Sequence, residues 1–256
     1  GLSGIGYAIS TACTSGARAL ASAARLLKLG LCDAVLCGGV DSLSLLTING
    51  FASLEVVSGR VARPFAADRD GINIGEAAAV FLMTRVPMPG FPEGEPIGLL
   101  GYGASSDAWH MSSPRPDGEG AMQAIQAALQ GAGLSAGDLG WINLHGTGTT
   151  QNDAMESLAV VQTLGVDVPG TSTKPHTGHT LGAAGALEAA IVWGFVSRQL
   201  NPSGALPAQG NERDPSLAPL RLTRPGDRWP SGRRLGLSTS FAFGGNNMAL
   251  IMGDTA

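Results

Sequence analysis

The sequence has no apolar run of the roughly 18 to 20 residues that a membrane-spanning helix requires, and it does not open with the charged, apolar, small-residue order of a secretory signal. A soluble, cytoplasmic protein with no membrane partner is the resulting expectation. A positive charge surplus is lacking too. The formal net charge is −4, so nucleic acid is not an expected partner, and only a local basic patch would serve a small acidic one. Cysteine is scarce and odd in number: Cys13, Cys32 and Cys37 in 256 residues argue against a secreted disulfide framework and leave at least one free thiol. Metal-ligand spacings are absent as well. His176 and His179 are three apart with no carboxylate or thiol beside them, and Cys32 and Cys37 form no CxxC pair, so no metal is expected and these two cysteines read as core or near-core thiols. Finally, no initiator methionine precedes Gly1, and the apolar segment Ile5–Ile9 starts almost at once, which suggests a truncated or cleaved N-terminus.

What is present is a chain with 44% hydrophobic residues, enough for one large α/β core or two packed halves. A strand at Tyr7–Ser10, an Ala- and Leu-rich helix at Thr14–Leu29 stopped by Gly30, and a strand at Ala34–Cys37 read as the βαβ alternation of a parallel sheet. Asp41–Gly75 has no clear period and reads as short helices and ordered loop, and Ala77–Thr84 as an apolar strand. Met88–Glu95, with two prolines and two glycines, reads as a linker between two halves, 1–87 and 96–256. Beyond it come a strand at Ile97–Ala104, helices at Gly118–Leu129, Asp153–Leu164 and Ala183–Arg198, a strand at Trp141–Leu144, and two closing strands, Leu235–Ser240 and Asn247–Met252, paired as a hairpin across Ala242–Gly245. Gly75-Glu76 before one apolar strand and Gly244-Gly245 before another hint at a duplication. By that reading the second half has four strands and the first three, so the first half is incomplete.

Three segments offer chemistry. Ser10-Thr11-Ala12-Cys13-Thr14-Ser15-Gly16 places a cysteine where a strand turns into a helix. The partial positive charge of a helix N-terminus favours a thiolate, and backbone N–H groups there can hold an oxyanion; a buried structural cysteine is the competing reading. Leu144-His145-Gly146-Thr147-Gly148-Thr149 follows an apolar strand, at the end where parallel sheets place ligands. Lys174-Pro175-His176-Thr177-Gly178-His179 leads into a glycine-rich helix start, with His179 in the preceding loop. Either histidine alone suits a turn or a packing motif, but a cysteine with two loop histidines favours nucleophilic catalysis.

Together with Arg63-Pro64-Phe65, Asp68-Arg69-Asp70-Gly71, Gly75-Glu76, Ser105-Ser106-Asp107-Ala108-Trp109-His110-Met111 and Ser240-Phe241-Ala242-Phe243-Gly244-Gly245-Asn246-Asn247, these segments resemble, in order and over nearly the whole chain, the β-ketoacyl-[acyl-carrier-protein] synthases of the KAS I/II class. That resemblance implies a thiolase-like fold, a duplicated α-β-α-β-α architecture with its first half incomplete. It implies decarboxylative condensation of a Cys13-bound acyl chain with a malonyl thioester, in fatty acid or polyketide/aryl-polyene synthesis. Cys13 and Phe243 would supply the oxyanion N–H groups, with Phe243 also a gate. His145 and His179 would act as neutral imidazoles on the malonyl thioester, and Lys174 would pair with Glu156. Asp153 and Glu188 would be structural carboxylates, and Thr147, Thr149 and Ser112 would bind the phosphopantetheine arm. No dissociable cofactor is implied. The implied partners are an acyl carrier protein and a second subunit, as a homodimer or a heterodimer with a chain-length factor.

Two departures stand out. Thr150-Gln151-Asn152-Asp153 replaces the family's Pro-x-Gly-Asp, and the family's N-terminal portion is missing, which leaves a non-catalytic carrier-binding or assembly fragment as the alternative. A thiolase would need a second cysteine near the C-terminus, a KAS III enzyme a Cys-His-Asn set, and a chain-length factor no Cys13; none of these fits.

Overall fold

The computed structural model describes residues 4–85 and 97–255, so the Met88–Glu95 linker lies outside the described residues. Helix α1 (Ser15–Lys28) forms because Ala17, Leu20, Ala21 and Leu27 recur on one face, all buried. It ends in a Schellman motif. The N–H of Leu31 reaches the carbonyl of Leu26, that of Gly30 reaches Leu27, and Gly30 takes φ +70°. Strand β1 (Ala34–Asp41), helix α2 (Leu45–Ser53) and strand β2 (Ala77–Thr84) complete the first half.

The pairing there differs from the expected parallel sheet. β1 and β2 are antiparallel, from Ala34 opposite Thr84 to Asp41 opposite Ala77. Tyr7–Ser10 is not a strand: a strand exists only by virtue of its ladder, and no strand flanks this segment among the described residues. Among the described residues the first half therefore has two strands, not three.

The second half runs β3 (Ile97–Ser106), α3 (Glu119–Ala132), β4 (Trp141–Asn143), α4 (Thr150–Leu164), β5 (Gly170–Thr171), α5 (Lys174–Thr177), α6 (Ala184–Val196), β6 (Leu235–Ala242) and β7 (Asn246–Asp254). Its five strands form one mixed sheet in the order β3-β7-β6-β4-β5. β6 and β7 are the expected hairpin, closed from Ala242 to Asn246 by a turn in which Gly244 and Gly245 both have positive φ.

One face of this sheet, with Leu235, Leu237, Ala249 and Ile251, packs on Ala124 and Ile125 of α3 and Val160 of α4. The other face, with Trp141, Met248 and Leu250, packs on α1 and α6, whose far side takes Ala79 of β2 together with half-buried Cys37, Phe81 and Met83. Four layers result: helix, sheet, helix, sheet. No helix among the described residues covers the outer face of β1–β2, where Leu36, Val40 and Val80 are exposed. α1 and α6 meet through glycines; a Cβ on Gly16 would lie 2.6 Å from the Ala186 nitrogen, and one on Gly185 the same distance from that of Ala17. This contact brings the starts of both helices together, and with them the segments that precede each.

Candidate active site

Cys13 lies two residues ahead of α1, after Ala12, whose φ of +51° is a strained value for a residue with a Cβ. That sharp bend turns the thiol inward. Its Sγ is 3.0 Å from His179 Nε2. His179 follows Gly178, whose positive φ and close approach to Gly75, 2.9 Å from a would-be Cβ, exclude any side chain. The main chain of His179 is pinned by the first half: its N–H donates to the Asn73 carbonyl at 2.6 Å, and the Gly75 N–H donates back to its carbonyl at 3.0 Å.

His145 reaches the same place from the end of β4, its ring edge-on to His179 at 5.2 Å between centroids and to Phe241 at 5.8 Å. Gly146 lets the chain turn there, since a Cβ would strike Ser172 at 2.5 Å and Phe65 at 2.8 Å. Lys174, at the start of α5, is buried and spends its three N–H groups on the His145 carbonyl at 2.5 Å, His145 Nδ1 at 3.3 Å and the Glu188 carboxylate. A lysine donor on Nδ1 leaves the imidazole proton on Nε2.

The expected pairing of Lys174 with Glu156 is thus corrected to Glu188, and the reason is competition for Glu156. That carboxylate is saturated by other donors: the N–H of His145 and of Gly146, both at 2.7 Å, and Thr239 Oγ1 at 2.8 Å. Asp153 is a structural carboxylate in the same sense, accepting the N–H of Phe65 at 2.7 Å and of Gly148 at 3.2 Å, with Arg69 close by and bridging onward to Asp214.

Burial sets the protonation states. It pushes the Cys13 thiol up to about 12, against the pull of Lys174, so the thiolate expected from the helix N-terminus is not the resting form: desolvation outweighs the partial charge of α1. Both histidines are pushed well below the usual imidazole range, by burial first and Lys174 second. The resting site is therefore a neutral thiol beside two neutral imidazoles.

The site opens onto a cleft of about 430 Å³ that Ser112, Thr147 and Thr149 line together with Cys13, His145 and His179. The two threonine hydroxyls are 3.0 Å apart. A second cavity of about 680 Å³ lies on the other side of Cys13, and Cys13, Phe51 and Phe243 line both. Phe51 stacks on Phe243 at 5.7 Å. No signal in the sequence points to Phe51, which sits in an unpatterned stretch. Strain offers a clue that only coordinates reveal: of the non-glycine residues with positive φ, Ala12 and Leu181 flank the Cys13–His179 contact, Phe65 abuts Gly146, and Glu55 lines the cleft. Among the described residues no group of three or more histidine, cysteine, aspartate or glutamate side chains could hold a metal ion, and no helix is long and apolar enough to cross a membrane.

Known proteins similar to this chain point to one family. Residues 1–87 match the family model for the beta-ketoacyl synthase N-terminal domain, and residues 98–204 that for the C-terminal domain. A 3-oxoacyl-[acyl-carrier-protein] synthase 2 of Rhizobium meliloti is 36% identical over 98% of this chain and 61% of its own length; the Synechocystis enzyme of that name is 35% identical over 94% and 59%. Among solved structures, a ketosynthase in complex with its chain length factor from Xenorhabdus doucetiae is 48% identical with a TM-score of 0.87, over 97% of this chain and 60% of that one. A beta-ketoacyl synthase from Burkholderia phymatum is 33% identical with a TM-score of 0.84, over 96% and 61%. The chain thus spans about three fifths of the length of the relatives it matches.

Proposed function

Because this chain belongs to the β-ketoacyl synthase family, we propose that it carries the catalytic residues of a β-ketoacyl-[acyl-carrier-protein] synthase, an acyltransferase that lengthens acyl chains by decarboxylative condensation. The observation that carries the reading is the 3.0 Å contact between Cys13 Sγ and His179 Nε2 at the floor of a cleft.

In the first step Cys13 Sγ attacks the carbonyl carbon of an acyl thioester. Its proton passes to His179 Nε2 and on to the departing carrier thiol, so that one C–S bond forms as another breaks. Backbone N–H groups of Cys13 and Phe243 hold the oxyanion. In the second step a malonyl thioester loses its carboxylate as carbon dioxide. Nε2–H of His145, fixed by Lys174 on the opposite nitrogen, donates to the thioester oxygen on which charge collects. The resulting carbanion attacks the Cys13 thioester, forming the C–C bond and breaking the C–S bond to Cys13, and the released thiolate takes up a proton from water. Neutral imidazoles suit both steps: one must accept a proton and the other must donate a hydrogen bond without drawing a permanent anion into the site.

The Thr147 and Thr149 hydroxyls and Ser112 would hold the phosphopantetheine arm of an acyl carrier protein, the proposed macromolecular partner, and no dissociable cofactor takes part. Phe243, stacked on Phe51 between the two cavities, would act as the gate. A homodimer, or a heterodimer with a chain-length factor, is the proposed assembly. A reducing compartment, the cytoplasm, fits a mechanism that depends on a free thiol. Incubating the protein with an acyl-carrier-protein thioester and recording intact mass tests the reading. An acyl adduct on the wild type that Cys13→Ala abolishes is expected; an adduct that survives in Cys13→Ala sinks it.

A further inference from the structure

Asn152 stands in the cleft with a part to play that the reaction above does not use. It lies on the first turn of α4, 8% exposed, and lines the same cleft as Thr147 and Thr149. The neighbouring Thr149 hydroxyl receives its backbone N–H at 3.4 Å. The side-chain amide has two ends. Nδ2 faces two carboxylates, Asp153 Oδ1 at 3.2 Å and Glu156 Oε2 at 3.5 Å. Because those carboxylates collect backbone N–H donors on both sides, only the donating end of the amide can face them, and the orientation is fixed. The accepting end is left over: no described residue donates to Oδ1, and the residue's exposed edge is the cleft wall.

We infer that Asn152 is a substrate-positioning residue whose Oδ1 accepts an amide N–H of the arm that delivers the thioester. The ligand chemistry follows from the geometry. A carbonyl oxygen with no donor of its own, beside two hydroxyls that donate or accept, fits a chain in which amide groups recur. The same side chain braces Asp153 and Glu156, which hold the Gly148 and His145 backbone, so a bound arm is registered directly against the loop that presents His145. The inference deepens the function proposed above and rests on it.

The test is a cycle between protein and substrate. Two acyl thioesters on the same short arm are compared, one with an amide N–H in the arm and one with an ester oxygen in its place. The second-order rate of Cys13 acylation is followed by intact mass in wild type and Asn152→Ala. Wild type is expected to prefer the amide by about five- to tenfold, the worth of one hydrogen bond, and Asn152→Ala to reduce that preference to less than about twofold. A merely structural residue would slow both thioesters alike and leave the preference intact, which overturns the inference. So does a wild type that reacts equally with both. Asn152→Leu, close in volume and without polar atoms, carries the same comparison if the alanine variant does not fold. Wild type that acylates with neither thioester refutes the proposed function itself, and the inference with it.

Discussion

Two antiparallel strand pairs of this molecule, β1–β2 and β6–β7, share a packing partner and have opposite circumstances. In each, the second strand starts within two residues of a glycine, Gly75 or Gly245, and each pair lays one face on the α1–α6 layer. On the far face they part. Leu237 and Ile251 of the second are completely buried under α3 and α4, while Val40 and Val80 of the first are 70% and 66% exposed. The difference teaches that apolar alternation fixes which residues form a strand but not whether both of its faces find cover. It also separates where the core resides from where the candidate site is assembled: the second half holds the thick core and both histidine loops, and the first contributes Cys13 and the loop that pins His179.

Substitutions on the two strand pairs should diverge most. Leu237→Glu places a charge in a closed core and should cost more than about 4 kcal/mol, enough to abolish cooperative urea unfolding. Glu188→Ala comes next. It leaves the Lys174 ammonium buried without its counter-charge, and a loss of about 3–5 kcal/mol in urea-derived stability is expected; pairing it with Lys174→Met should recover most of that loss.

A pH series sharpens the contrast further. Burial lifts the Glu156 carboxyl from 4.5 to about 7, so the folded state binds this proton more tightly than the unfolded state does. The contribution is fully present below about pH 4.5 and is lost as pH rises through about 7. Asp153, lifted to about 6, acts with the same sign. The urea midpoint should therefore fall between pH 4.5 and 7.5, and Glu156→Gln should flatten part of that slope, on the order of 2 kcal/mol, leaving the share due to Asp153. Smallest of all, Val80→Glu on the uncovered face should shift stability by no more than about 0.5 kcal/mol. A large loss there would mean that something covers this face in solution.

Much of this was legible in residues alone. α1 is written in its Ala–Leu face and its Gly30 stop, β2 in an unbroken apolar run, and the closing hairpin in Gly244-Gly245 between two such runs. Cys13, His145 and His179 announce themselves by type and setting. What escaped was whatever depends on who arrives from elsewhere in the chain. Tyr7–Ser10 has a strand's composition but no ladder. Lys174 had two buried glutamates to choose from, and only the backbone donors already occupying Glu156 decide for Glu188. The thiol's protonation turned on desolvation, which no local motif reports. Asn152 showed itself only as a departure from a pattern, and Phe51 not at all.

The loop between α2 and β2 has a further consequence, in time rather than in space. Through Phe65 and Asn73 it bonds to Asp153 and His179, and the first of these contacts closes across 88 residues of sequence. During synthesis at about 5–20 residues per second, Phe65 is joined to the chain roughly 4 to 18 seconds before Asp153 exists to receive it. Nothing local can assemble the Cys13–His145–His179 cluster, so this cluster should be among the last features the chain acquires as it folds, well after its helices are in place.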